Sequence, residues 1–322
     1  MRSLVLCILL FSTFSGFAQN KAYSRVDSLM RSYNGKIKSS DDLYKLVYYI
    51  RNNFDADSLR FRASFIWITE NIDYDIKAFL KEDPAASTID YALKNKKAIC
   101  SGYASLVKFF CDAFNIECEV VDGYARAGIN KVVMNQNYLR SNHAWNAVKI
   151  NDTWRLVDAT WAAGEVDDDN VEDKDKVYRK KFNETYYFTP PEKMILNHFP
   201  TQDRFRFTNK KMDQKQFMRM PLHWSDFLID DISVISPDSS LIKAKVGDTI
   251  VFRLKTNYPG LYMYGYNERL EKARYEILVN GKDGWVEFHY PVRLNGYYLL
   301  NIGYYINTTR SRQLLTYKLE VN

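Results

Sequence analysis

Cysteine is scarce in this chain. There are four among 322 residues, and Cys7 lies within an apolar N-terminal run, leaving Cys100, Cys111 and Cys118. An odd number of cysteines in an exported protein leaves one thiol unpaired and open to reaction. Histidine is equally rare, at four residues, and His198, His223 and His289 are too dispersed in sequence to suggest a zinc site. No glycine-rich phosphate loop and no internal repeat is present. The formal charge is +6, or +5 without the first 18 residues, whose one charged side chain is Arg2. Acids and bases alternate along most of the chain, which argues against a nucleic-acid surface. What is plentiful is aromatic: 24 Tyr and 19 Phe supply a packed core and argue against disorder.

The N-terminus reads as an export signal over residues 1–18. Arg2 precedes the apolar run Leu4 to Phe14, which is too short to span a bilayer, and Gly16 and Ala18 are small residues at a cleavage position. Cleavage after Ala18 would deliver the protein to the periplasm or the extracellular space. No other segment approaches the length of a membrane span.

Residues 22 to 58 have helical spacing, with Ser39 to Asp42 able to cap a helix carrying Leu43, Leu46, Val47 and Ile50. A further helix runs from Leu59 to Asn71, with Asp57 as its candidate cap. Ser101 to Phe114 is an apolar helix that Asn115 can end in a left-handed conformation. Ile116 to Tyr124 alternates as a strand. His143–Ile150 and Thr153–Asp158 read as a hairpin around Asn151-Asp152. Glu165 to Lys176 is charged enough to be a solvated loop. From about Ile229 the chain becomes β-like. Expected strands are Thr249–Lys255, Leu261–Tyr266, Arg274–Val279, Trp285–Tyr290, Tyr297–Tyr304 and Leu314–Val321, separated by turn signals such as Asn257 to Gly260 and Asn280 to Gly284.

Three residues carry the chemistry. Cys100 sits where an apolar stretch becomes a helix, and a helix N-terminus favours a thiolate and offers N–H groups to an oxyanion. Gly102 would let a substrate backbone come close. With Asn151 and Asp152 as a two-residue turn, Ile150 pairs with Thr153, Trp145 faces Asp158 and His143 faces Thr160. His143 and Asp158 are then diagonal neighbours on one face, roughly 7 Å apart at Cα. A carboxylate there can accept an imidazole N–H, fix its tautomer and support the imidazolium. The set is a nucleophile, a base and an orienter.

Three separated blocks make the sequence resemble the transglutaminase-like superfamily, with its papain-like thiol core, in the branch around kyphoscoliosis peptidase. They are Phe65 to Asp75, Ala98 to Ala104, and Asn142 to Val148 continuing through Trp154 and Val157 to Trp161. Tyr187 to Glu192 and His198 to Pro200 have the texture of that branch. The resemblance spans roughly residues 40 to 205. It implies an α+β core of helices packed on an antiparallel sheet, in a domain over residues 19–215; the strand spacing, and not the resemblance, gives the small all-β, sandwich-like domain over 225–322. It also implies cleavage or transfer at amide bonds of a protein or peptide substrate by Cys100, His143 and Asp158, with no cofactor. The superfamily includes inactive binding modules, so a scaffold role is the alternative. A cell-wall peptidase or amidase is a weaker one, resting on location alone, and the C-terminal domain could meet a cell-envelope partner. Trp145, Tyr103 and Tyr124 are candidate substrate contacts, with core packing as the competing reading. Trp161 and Arg126 are similar, weaker cases.

Cys111 lies about 16 Å along the helix from Cys100, whereas a disulfide needs Cα atoms within about 7 Å, so these two cannot pair. A Cys111–Cys118 bridge is geometrically allowed, but two buried thiols suit the apolar surroundings better. Asp167 to Asn170 could offer oxygens to Ca²⁺, but the run lacks a loop glycine and lies among lysines, so a solvated loop and no metal is expected.

Overall fold

The computed structural model describes residues 22–126, 140–167, 177–230, 232–256, 261–267, 274–279 and 284–322. The expected export signal, the acidic run from Asp168 to Asn170 and most of the two turn signals at 257–260 and 280–284 lie outside the described residues. Among the described residues no helix is long and apolar enough to cross a membrane. Contacts divide the chain into two units, residues 1–121 with 144–188 and residues 122–143 with 189–322. The division passes through two strands, each of which is one continuous piece of backbone.

The first unit is mainly helical. Helix α1 covers residues 22–31. Helix α2 (Ser40–Asn53) forms as its spacing predicts: Ser39 caps it through the Asp42 amide, and Leu43, Leu46, Val47 and Ile50 are all buried. Helix α3 (Asp57–Asn71) starts two residues early. Asp57 is its first helical residue, and the cap position, Ala56, makes no side-chain bond. Helix α3 also buries Arg62, whose guanidinium donates to both oxygens of Asp27 and both of Glu184 at 2.6–2.8 Å. Burial opposes that charge, but the two carboxylates outweigh it and raise the Arg62 pKa.

Helix α4 (Ile76–Leu80), a 3-10 turn (Pro84–Ser87) and helix α5 (Ile89–Asn95) form a scaffold for the helix that follows. Strands β1 (Asp73–Tyr74) and β2 (Lys97–Ala98) pair in parallel, with Tyr74 opposite Ala98. Helix α6 (Cys100–Phe114) then begins, and Asn115 ends it at φ +60°. A Cβ on Gly102 would stand 2.6 Å from the Ala86 carbonyl and 2.9 Å from Ala98 Cβ. The backbone that comes close to Gly102 is therefore the chain's own 3-10 turn. Only glycine lets the first turn of α6 seat there.

Strands β3 (Cys118–Ala125), β4 (His143–Ile150) and β5 (Thr153–Val157) follow. The β4–β5 ladder runs from Ile150–Thr153 to Asn146–Val157, in the register the two-residue turn predicts. Asn151 and Asp152 take φ +50° and +57°, the twist that suits a tight hairpin. The ladder stops one pair short of Asp158, which instead caps helix α7 (Ala159–Ala163). Strands β6 (Gly164–Asp167) and β7 (Val177–Lys180) make a ribbon, so the first residues of the expected charged loop belong to a strand.

In the second unit, helix α8 (Pro191–Met194) leads to strand β8 (His198–Pro200), which pairs with β3 and completes the antiparallel order β5-β4-β3-β8. Helix α9 (Gln214–Arg219) carries a capping box between Asp213 and Gln216, and strand β9 (Leu222–His223) and helix α10 (Ser225–Ile229) come next. Eight strands remain: β10 (Ile232–Ser236), β11 (Leu241–Ala244), β12 (Thr249–Thr256), β13 (Leu261–Asn267), β14 (Arg274–Val279), β15 (Trp285–Pro291), β16 (Gly296–Tyr305) and β17 (Ser311–Val321). One sheet has the order β10-β12-β15 and the other β11-β17-β16-β13-β14, with β9 on β17. They pack face to face: Phe252 of β12 meets Tyr317 of β17 at 5.1 Å between ring centroids. The small sandwich expected from alternation is present. Strands β10 and β11 lacked enough alternating residues to stand out.

Two substitutions test these positions. Asp152→Gly should raise the unfolding free energy by about 0.5–1 kcal/mol, because glycine takes a positive φ without a Cβ penalty. A lowered urea midpoint would contradict the turn geometry. Gly102→Ala should cost about 1–3 kcal/mol by overpacking against Ala86 and Ala98; wild-type stability would show that the contact gives way.

Candidate functional site

Cys100 is the first residue of a fifteen-residue helix and is partly exposed, whereas Cys111 and Cys118 are buried and free. The cap residue before it, Ile99, supplies no side-chain acceptor to the helix start. The Ile99 carbonyl accepts from the Gly102 and Tyr103 amides at 2.9 and 3.1 Å, which fixes the first turn. The Ile99 amide donates to the Ala86 carbonyl at 3.2 Å, and Ser101 donates to the Ser87 hydroxyl at 2.7 Å. The sulfur is therefore presented from a rigid helix end with a positive dipole.

Asp158 is fully buried. Its Oδ1 accepts from the Thr160 and Trp161 amides at 2.8 and 3.1 Å, and its own amide donates to the Tyr186 carbonyl at 2.9 Å. One carboxylate oxygen is thus occupied by helix capping. Burial of Oδ2 beside it leaves a fixed acceptor.

His143 opens β4, on the same hairpin that ends at Asp158. A ring nitrogen of His143 and a carboxylate oxygen of Asp158 lie within 4.8 Å of each other. The start of β4 is held by Asn142, whose side-chain amide accepts from the Ala125 N–H at 2.7 Å and donates to the Ala125 carbonyl at 3.1 Å. Ala125 is also the partner of His198 in the β3–β8 ladder. This brings His198 beside His143, with ring centroids 5.3 Å apart. His198 Nδ1 is 2.6 Å from Asn197 Oδ1. In sequence His198 is remote from every other candidate; in the fold it is a neighbour of the proposed base. Donor types that bind metals therefore gather at His143.

Tyr74 is a second residue that spacing did not reveal. Its pairing with Ala98 on β2 places it next to the entry of α6. Burial raises its pKa most, and the negative charges available at Cys100 and Asp158 raise it further, so the phenol stays protonated. A neutral O–H near both groups can donate a hydrogen bond to an anion. Nothing in the local pattern around Asn71 to Asp75 separates Tyr74 from an ordinary core tyrosine.

The three aromatic residues expected as substrate contacts are all buried. Tyr103 is fully enclosed and donates to the Ile72 carbonyl at 2.7 Å. Trp145 is 2% exposed. Tyr124 packs with Ile195, Phe199, Met212, Phe217 and Met218. Arg126 is buried too, donates to the Phe217 and Met220 carbonyls, and is pulled down to about 10 by burial. Trp161 meets Tyr186 edge to face at 5.3 Å.

Residues 44–159 match the transglutaminase-like superfamily. The chain is 29% identical to human (Homo sapiens) kyphoscoliosis peptidase over 249 residues, covering 77% of this chain and 37% of that protein. It is 22% identical to cytokinesis protein 3 of Schizosaccharomyces pombe over 202 residues, covering 63% of this chain and 22% of that protein. The chain thus spans little more than a third of the length of the first of these relatives and less of the second. Among solved structures, one described as a TGase aligns with 47% of this chain and 37% of its own, at 17% identity and a TM-score of 0.29. The match extends from α2 to the first residue of α7, and so includes Cys100, His143 and Asp158. Over residues 44–159 the chain is therefore similar to the transglutaminase-like superfamily.

Proposed function

We propose that this protein is an exported cysteine enzyme acting on amide bonds of proteins or peptides through Cys100, His143 and Asp158. The observation that carries the reading is the hairpin: it holds His143 beside a buried carboxylate that two backbone amides already fix. The superfamily match over the same residues supports it. The apolar N-terminal run supports export, to the periplasm or beyond the cell.

In this mechanism His143 takes the Cys100 proton and the thiolate attacks a carboxamide or peptide carbonyl. The Gly102 and Tyr103 amides are taken by the Ile99 carbonyl, so the oxyanion would draw on the Cys100 or Ser101 amide at the start of α6 and on the Tyr74 hydroxyl. The C–N bond breaks as His143 gives its proton to the departing ammonia or amine. The acyl group then sits on sulfur as a thioester. An amine resolves it by transfer, or water by hydrolysis, and either restores the thiol. Asp158 acts on the imidazole: it holds the ring and supports its positive charge. No cofactor enters these steps.

A non-catalytic binding role is the second reading, motivated by the relatives named for cytokinesis. The two are separated by chemistry at Cys100. Iodoacetamide should modify Cys100 well below pH 8.5, the range of an ordinary thiol of about that pKa, and His143→Ala should abolish that reactivity at low pH. Equal labelling of both proteins would dissolve the pairing. Incubation with peptide libraries and amine donors, read by mass, should give products with wild type and none with Cys100→Ala. Rapid labelling without any product would favour the binding role.

Asp158→Asn distinguishes the two tasks of that side chain. Asparagine caps a helix as well as aspartate, so stability should change by less than about 0.5 kcal/mol. Turnover should fall by about 10²–10⁴ through loss of charge beside the imidazole. A parallel loss of stability and activity would assign Asp158 to structure alone.

A further inference from the structure

The second unit contains a cleft of about 1160 Å³ that plays no part in the chemistry above. One wall is the segment 210–221, including α9, and the other is β10 with residues 238–241. Its floor is apolar: Leu196, Met212, Met218 and Phe227 are all less than a tenth exposed. Its rim is basic. Lys210, Lys211, Lys215 and Arg219 stand along one wall, and the acids lining the cleft are Glu192 and Asp238. Lys193 adds a further positive charge, held by the Asp230 and Ile232 carbonyls at 2.7 and 3.1 Å.

His223 lines the same cleft. It is 5% exposed, and its Nδ1 is buried without a hydrogen-bond partner. Burial, then Arg126, Lys210 and Lys193, push its pKa down to about 3, against a weaker opposing pull from the Pro221 carbonyl. The ring is neutral at physiological pH. A buried nitrogen without a partner costs stability unless an occupant supplies one.

We propose that this cleft binds an acidic peptide segment, with apolar side chains on the methionine floor and carboxylates on the Lys210 to Arg219 rim. Several features favour a peptide over a small anion. The volume exceeds the usual range of small-molecule pockets. The cations are spread along a wall instead of converging on one point. Strand β10 is an edge of its sheet, and its residues Ile232, Ser233 and Val234 line the cleft. An extended chain can pair with such an edge. Methionines adapt to side chains of different shape, so the surface selects for charge pattern more than for one sequence.

The test uses the full chain carrying Cys100→Ala, which cannot turn a peptide over. The probe is a fluorescein-labelled octapeptide alternating Glu and Leu, compared with its Gln-for-Glu counterpart by anisotropy. The acidic peptide should bind saturably, more weakly at high salt, and about ten-fold more tightly than the neutral one. Lys215→Glu with Arg219→Glu, both exposed positions, should reduce the affinity by about ten-fold or more with the circular dichroism spectrum unchanged. His223→Phe should weaken binding without changing its salt dependence. Equal affinity for both peptides, no saturable binding, or binding untouched by the double substitution would each overturn the proposal. So would tighter capture by phosphatidylglycerol vesicles than by the peptide, which would make the surface a membrane contact.

Discussion

Asn151 and Asp152 turn the chain through two left-handed residues, and that turn leaves the β4–β5 pairing no freedom to slip. Side chains alternate along a strand, so a slip of one residue would exchange the two faces of the strand that slips. Ala147 and Val148 lie on opposite faces of β4 and both are buried, so each would have to repack among the other's neighbours, and His143 would turn away from the acid. The turn and the packing therefore impose the register that the proposed chemistry needs. Asn146 reinforces it, because its buried amide reaches the Ala104 carbonyl of α6 at 3.1 Å and ties the strand to the helix that bears Cys100.

Asp158 shows how one side chain can join stability to reactivity. The chain needs an acceptor where β5 gives way to α7, and it needs a carboxylate beside an imidazole. Oδ1 meets the first need through its two amide bonds, and in the proposed mechanism the same buried group would meet the second. Gly102 is comparable. Its missing side chain leaves the space in which the first turn of α6 seats on Ala86 and Ala98.

Much of this was legible in the sequence because it depends on short-range rules. The α6 boundaries, the left-handed Asn115, the hairpin register and six strands of the sandwich follow from periodicity and turn chemistry. Features set by distant parts of the chain were not legible. His198 reaches His143 through the β3–β8 ladder, and no local pattern announces that pairing. Tyr74 stands near Cys100 because two dipeptide strands pair in parallel, which is too short a signal for alternation to reveal. Tyr103, Trp145 and Tyr124 illustrate the converse. Proximity in sequence to a reactive residue does not tell whether an aromatic ring faces a cleft or the core, and all three are buried.

The unequal burial of the three described thiols has a consequence for following the folding of this protein. Cys100 alone is partly open, while Cys111 and Cys118 are enclosed at the far end of α6 and on the strand after it. Burial raises the Cys111 thiol pKa well above its ordinary value, and the neighbouring Cys118 raises it further. In a Cys100→Ser background, therefore, a maleimide dye would be silent on the native molecule and would count each opening of the α6–β3 corner. The protein carries its own clock for local unfolding, read without any added label site.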